Sequence, residues 1–273
     1  MVHQHTETNL SHSHLGIMQN KLQSSFLEHM HDTELWASHL PRVPIGLYFL
    51  ALFGFALGTA SFTTLLPVSL LLKFSVLIVG LVLIIPALLA RHFAISKWSY
   101  VSSVRKQIFD ALALHGDEKV LDVGCGSGTL LNEAAKQLAT GKAIGIDIWA
   151  PHTGGGNYDL LLKNAKAEGV AGKIEFKQAD VRKLPFEDAA FDVIVSSGAL
   201  HHIGREMSDH EQAINEMLRV LKPGGKIALM DTTHMIEGYA SNMNTKGVTS
   251  KVNKTTQSPF GFEMSVMIGK KDK

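Results

Sequence analysis

The chain reads as an α/β protein: a mostly parallel seven-stranded sheet with helices on both faces, preceded by a two-helix hairpin that spans a membrane. Three observations carry this. Short apolar runs alternate with helical stretches between residues 119 and 231, and such alternation builds a parallel sheet with right-handed crossovers. The first run empties into a loop with glycine at every second position, Gly124-Cys125-Gly126-Ser127-Gly128. Between Arg42 and Arg91 the only charged side chain is Lys73.

Three segments follow, divided at 1–42, 43–91 and 92–273. The first is a polar arm rich in histidine. His3-x-His5, His12-x-His14 and His29-x-His31 suit a transition metal. No cysteine joins them and no closed four-ligand pattern exists, so a flexible arm is the plainer reading and no metal is assigned. Leu22, Phe26, Leu27 and Met30 share one face of a helix that could lie on a membrane surface.

In the second segment, residues 45–66 and 69–90 are each long enough to cross a bilayer at roughly 20 residues per span. Pro67, just after Thr63 and Thr64, marks the turn. Lys73 near that turn reaches outward to the interface. A signal peptide is excluded by the roughly 40 mostly polar residues ahead of the run. Arg42 flanks the entry, and Arg91, Lys97, Arg105 and Lys106 follow the exit. The positive-inside rule then puts the N-terminus and residues 92–273 in the cytoplasm, at the cell's inner membrane.

The third segment opens with a helix over 97–114. Strands are expected at 119–124, 142–148, 172–177, 191–196 and 225–231, with helices near 128–139, 157–168 and 208–221. The tail carries no strong helix signal, and 248–255 and 262–270 form an antiparallel strand pair. The net charge of +1 shows no nucleic-acid footprint. The single cysteine, Cys125, excludes an intramolecular disulfide and fits a reducing compartment.

The chemistry gathers at the carboxyl ends of the strands. Glycines remove side chains where the backbone bends and a ligand approaches, and the following helix offers free N–H groups. A dinucleotide loop needs glycine or alanine at position 129, where the chain has Thr129. Asp122 stands two residues before the first glycine. Asp147 ends the second strand, where a carboxylate suits ribose hydroxyls, a feature shared with NAD enzymes. Asp180-Val181 follows the third strand, and Ala199-Leu200-His201-His202 follows the fourth.

In this order and spacing, residues 98–273 resemble class I S-adenosylmethionine (SAM) methyltransferases of the ubiquinone/menaquinone-biosynthesis type. The resemblance implies a Rossmann-like methyltransferase sheet, SAM as cofactor, and a helix that closes over it. Asp122 would orient the loop and reach the methionine part of SAM, beside Gly124, Cys125, Gly126 and Gly128. Asp147 and Ile148 would serve the ribose. Asp180 would receive the adenine amino group, with Val181 packed on the ring, and Ser196 would complete the cofactor set.

The reaction implied is SN2 displacement of the SAM methyl group by a substrate nucleophile. The protein mainly aligns donor and acceptor. A base is needed only where the acceptor loses a proton, and His201, His202 and His152 are the candidates. Membrane attachment points to a small lipophilic acceptor. The other readings are a non-catalytic SAM-binding membrane adaptor and an NAD-binding oxidoreductase, the latter disfavoured by Thr129. The insert from Trp149 to Asn157, with three glycines, is either a lid bearing Trp149 near adenine or a surface loop.

Overall fold

The computed structural model describes residues 70–149, 157–204, 206–255, 258, 261 and 263–273. The chain divides into two compact units, Met1–Arg91 and His92–Lys273. The histidine-rich arm, the first expected span, His152 and the glycines of the insert all lie outside the described residues. Among the described residues no helix is long and apolar enough to cross a membrane.

The first described element is one helix, α1 (Leu70–Leu112), where two separate helices were expected. Residues 91–96 contain neither glycine nor proline to stop it, and Pro86 stands inside it. Its carboxyl half buries Tyr100, Val104, Ile108 and Leu112. That four-residue stride is the spacing of one helix face. The Tyr100 hydroxyl also hydrogen-bonds Thr255 Oγ1 at 3.1 Å.

The sheet follows: β1 (Lys119–Val123), β2 (Lys142–Asp147), β3 (Ile174–Gln178), β4 (Phe191–Ser197), β5 (Leu221–Thr232), β6 (Val248–Lys254) and β7 (Met264–Lys271). Its order is β3-β2-β1-β4-β5-β7-β6. The first five strands are parallel, and β7 runs antiparallel between β5 and β6. The strand order reverses at β1 and β4, and open α/β sheets bind ligands beyond the carboxyl ends at such a point.

Four further helices cover the sheet: α2 (Thr129–Gln137), α3 (Tyr158–Ala167), α4 (Met207–Val220) and α5 (Thr233–Asn244). Buried side chains of α1, α2 and α3 pack with Val120, Ala143, Val193 and Val195 on one face. Those of α4 and α5 pack with Leu121, Ile144, Ile194 and Ile227 on the other. Alternate residues of each strand thus serve opposite layers.

Two local differences from expectation have clear causes. Helix α5 was not expected, because Gly238, Ser241 and two asparagines dilute its composition. Its buried stripe, Ile236, Tyr239, Ala240 and Met243, has helical spacing all the same. Strand β5 begins at Leu221 rather than 225. Leu221 pairs with Phe191 and Lys226 with Val193, so Lys222-Pro223-Gly224-Gly225 is taken up as a register shift instead of a turn before the strand.

Candidate cofactor and acceptor site

A cavity of about 320 Å³ opens above the carboxyl ends of β1, β2 and β4. Its walls are the glycine loop, the Asp147-Ile148 corner, residues 179–182 and the segment from Ser197 to Gly204. It falls within the size range of small-molecule sites, roughly 300 to 1,000 Å³.

The glycine loop is built for close approach. Gly124 has φ +69° and Gly128 φ +91°, a region that favours glycine. A Cβ at Gly124 would collide with the Ala199 side chain. Gly124 and Cys125 donate their N–H groups to Ile146 O at 2.8 and 3.0 Å, which stitches the loop to β2. Asn164 on α3 donates its amide to Ser127 O at 3.0 Å from the other side. Cys125 is buried in the loop against Gly145, and burial pushes its thiol far above the ordinary range. It is a space-filling side chain, not a nucleophile.

Asp147 ties the loop to the second strand. Its Oδ2 accepts the Gly126 N–H at 2.8 Å and its Oδ1 the Trp149 N–H at 2.7 Å. A carboxylate offers about four acceptor sites, so capacity remains for two hydroxyl donors. Trp149 adopts φ +43° and donates its indole N–H to Gly126 O at 3.3 Å. Its ring packs edge-on against Tyr158 and Phe176. Trp149 therefore braces the loop in an aromatic cluster.

Asp122 decides what kind of ligand fits. It lines the cavity and is almost completely buried, and its Oδ2 has no hydrogen-bond partner. Burial, opposed by a backbone hydrogen bond from Leu131 and helped by the charge of Asp147, raises its pKa to about 7. An orphaned carboxylate oxygen at a cavity wall calls for a cationic donor. The ammonium group of a bound amino acid moiety meets that demand, and the glycine cradle and Asp147 suit the nucleoside attached to it. The residues present fit SAM.

The remaining expected residues fall in different places. Ile148 and Val181 line the cavity. Asp180 lines it too, but its carboxylate is already engaged: Arg182 Nε lies 3.1 Å from both oxygens and Nη2 2.6 Å from Oδ2. The guanidinium beside it holds Asp180 below the usual carboxylate range. Arg182 Nη1 in turn donates to Asp209 Oδ1 at 2.8 Å, at the start of α4. Ser196 does not line the cavity, contrary to expectation. It is buried with its hydroxyl donated to Val123 O at 2.8 Å, and its neighbour Ser197 lines the cavity instead. In an extended strand successive side chains point to opposite faces, so a single position exchanges wall for core.

The two histidines separate. Both lie on the 3₁₀ turn Leu200–His202. His202 lines the cavity. His201 stands beside it, with ring centroids 3.9 Å apart, and places its Nδ1 2.9 Å from Asp231 Oδ1. Asp231 at the end of β5 is fully buried and also accepts the His201 backbone N–H at 3.2 Å. The Asp231 hydrogen bond raises the His201 pKa above its ordinary value, against the opposing effect of partial burial. Sequence reading passed over Asp231, Arg182 and Asn164. Only Asp231 left a usable trace, an acid closing the apolar run Ile227-Ala228-Leu229-Met230.

Fold and site together resemble those of class I SAM-dependent methyltransferases, and the cavity lining fits SAM as the cofactor. Residues 121–229 match the sequence model of the family described as a methyltransferase domain. Among curated proteins, the chain is 32% identical over 130 residues to a demethylmenaquinone methyltransferase of Lactobacillus johnsonii, covering 47% of this chain and 50% of that one. It is 39% identical over 120 residues to a ubiquinone/menaquinone biosynthesis C-methyltransferase of Stutzerimonas stutzeri, covering 44% and 43%. The chain thus spans about half the length, or less, of these relatives.

Solved structures share the fold at low identity. The N-methyltransferase NodS from Bradyrhizobium japonicum, in complex with S-adenosylhomocysteine, superposes with a TM-score of 0.52 at 16% identity, covering 63% of this chain and 87% of that one. The [4+2]-cyclase SpnF gives 0.52 at 17%, covering 62% and 81%. A cyclase on this fold shows that the scaffold alone does not fix the reaction.

Proposed function

We propose that this chain is a membrane-anchored methyltransferase that moves the SAM methyl group onto a small lipophilic acceptor, a hydroquinone-type ring. The observation that carries the donor side is the buried, unpartnered Asp122 oxygen in the cavity wall. The acceptor class rests on the similarity to the two quinone-pathway methyltransferases. Bound SAM supplies an electrophilic methyl group on a sulfonium centre. Asp122 would hold its ammonium group and Asp147 its ribose, while Asp180 and Val181 would bound the adenine. His202 lines the cavity and His201 stands beside it, and these two are the candidates for removing a proton.

The anchor is the hairpin expected over 43–91. Its support is the charge-free composition on either side of Lys73 and the run of exposed apolar side chains on α1, including Ile78, Val79, Val82, Leu88 and Leu89. A long exposed apolar surface marks contact with membrane or partner. Both chain ends lie in the cytoplasm, where SAM is made. Protease added outside sealed, right-side-out vesicles is expected to leave residues 92–273 intact; cleavage within that domain rejects the topology.

The activity is tested with membranes containing the full chain and SAM labelled on its methyl group, followed by extraction into organic solvent. Label in the organic phase, lost in Gly126→Arg, is the expected outcome. Label confined to the aqueous or protein fraction rejects the lipophilic acceptor. SAM binding without any transfer favours the adaptor reading.

A further inference from the structure

We propose that Asp231 is a positioning residue that makes His201, rather than His202, the general base for an acceptor bearing an ionisable hydroxyl group. This rests on the methyl-transfer reading above and narrows its acceptor class. Three facts carry it. Asp231 is a carboxylate with 1% side-chain exposure that faces an imidazole. It holds that imidazole twice, through Nδ1 and through the His201 backbone N–H, which fixes both the turn and the ring. The ring is 38% exposed and lies against His202, which forms the cavity wall.

The consequence is chemical. With Nδ1–H donated to the carboxylate, the lone pair sits on Nε2, and a buried anion behind the ring stabilises the imidazolium that forms on proton uptake. A residue serving only to hold the turn needs no carboxylate, because the backbone N–H could be met by any acceptor. The hydroxyl proton of the acceptor passes to His201 Nε2. The oxygen's charge delocalises into the ring, and a ring carbon forms the new bond to the methyl carbon. The carbon–sulfur bond breaks with its electron pair left on sulfur, and the ring proton at the methylated carbon returns to oxygen by tautomerisation. An acceptor without an acidic hydroxyl gains nothing from this arrangement.

The strand packed against the turn is β5, and Asp231 is the group it presents to His201; His202 is the titratable neighbour on the turn itself. The test uses the full chain in detergent, with a reduced 2-prenyl-1,4-naphthoquinone as acceptor probe. Wild type, His201→Gln, His202→Gln, Asp231→Asn and Asp231→Glu are compared. We expect His201→Gln and Asp231→Asn to lower kcat by about 100-fold or more, the usual range for a general base. SAM affinity should be unchanged, and Asp231→Glu should recover part of the rate. The acid limb of the kcat profile should move to lower pH in Asp231→Asn.

A second readout needs no turnover. In SAM-free protein labelled with ¹⁵N-histidine, the imidazole signal lost in His201→Gln should titrate above the ordinary range, and should titrate lower in Asp231→Asn. The proposal is overturned if Asp231→Asn moves neither that titration nor the acid limb, or if His202→Gln alone abolishes kcat. If Asp231→Asn does not fold, His201→Gln at full kcat overturns it. Failure of the wild type to methylate the probe while the titration shifts as expected counts against the acceptor, not against the Asp231–His201 pair.

Discussion

Asp147→Ala is expected to weaken SAM binding by at least about 100-fold while leaving the chain folded. The size follows from the number of interactions that meet at one carboxylate. Two ribose hydrogen bonds to a charged acceptor contribute about 1.5–3 kcal/mol each, and every 1.4 kcal/mol is tenfold in affinity. The same substitution releases the Gly126 and Trp149 N–H groups, so the cradle loosens as the ribose loses its partner. Asp147 sits at the very end of β2 and is only partly buried. Its loss therefore leaves no buried unpaired charge in the core. Equilibrium dialysis with labelled SAM, alongside thermal unfolding of the SAM-free protein, checks both halves. Unchanged affinity removes Asp147 from the ribose site.

The second large effect is a proton linked to the donor. In the unfolded chain Asp122 loses its proton near the ordinary value of 3.8, whereas in the folded one it keeps it to about 7. Between those values the folded state holds more protons than the unfolded. The stability of the SAM-free protein therefore falls as pH rises through that window and levels off above it. The full span amounts to at most about 4 kcal/mol. Asp122→Asn, neutral throughout, is expected to flatten the profile and to be the more stable protein above pH 7. SAM reverses the balance, because its ammonium group needs the ionised carboxylate. Below pH 7 binding should release about one proton, seen in calorimetry as a heat that depends on the buffer's ionisation enthalpy. The dependence should vanish well above pH 7 and in Asp122→Asn. A buffer-independent heat at pH 6 separates Asp122 from the ammonium site.

Most of the scaffold was legible because its signals are local. Short apolar runs located β1, β2 and β4, the alternation of Ile174 and Phe176 with charged residues located β3, and the alternate glycines located the ligand loop. The antiparallel tail was legible from its two short strands. Helix α5 was obscured by composition, although its stripe of Ile236, Tyr239, Ala240 and Met243 was present. The site was legible only where one residue acts from one place. Asp122, Asp147 and the glycines announce themselves by position along their own strand. The pairing of Asp231 with His201, and the chain from Asp180 through Arg182 to Asp209, join residues about 30 positions apart. No periodicity records such a meeting, since it is made by strand order and not by neighbours in sequence. Ser196 shows the complementary failure: the strand was read correctly and the face was not.

The sheet ends on β3 at one side and β6 at the other, and an open edge is a template onto which another chain can add a strand. Both edges carry charge at exposed positions, Glu175 and Lys177 on β3, Lys251 and Lys254 on β6. Charged side chains along an open edge oppose the addition of a further strand, so growth of the sheet from molecule to molecule is disfavoured.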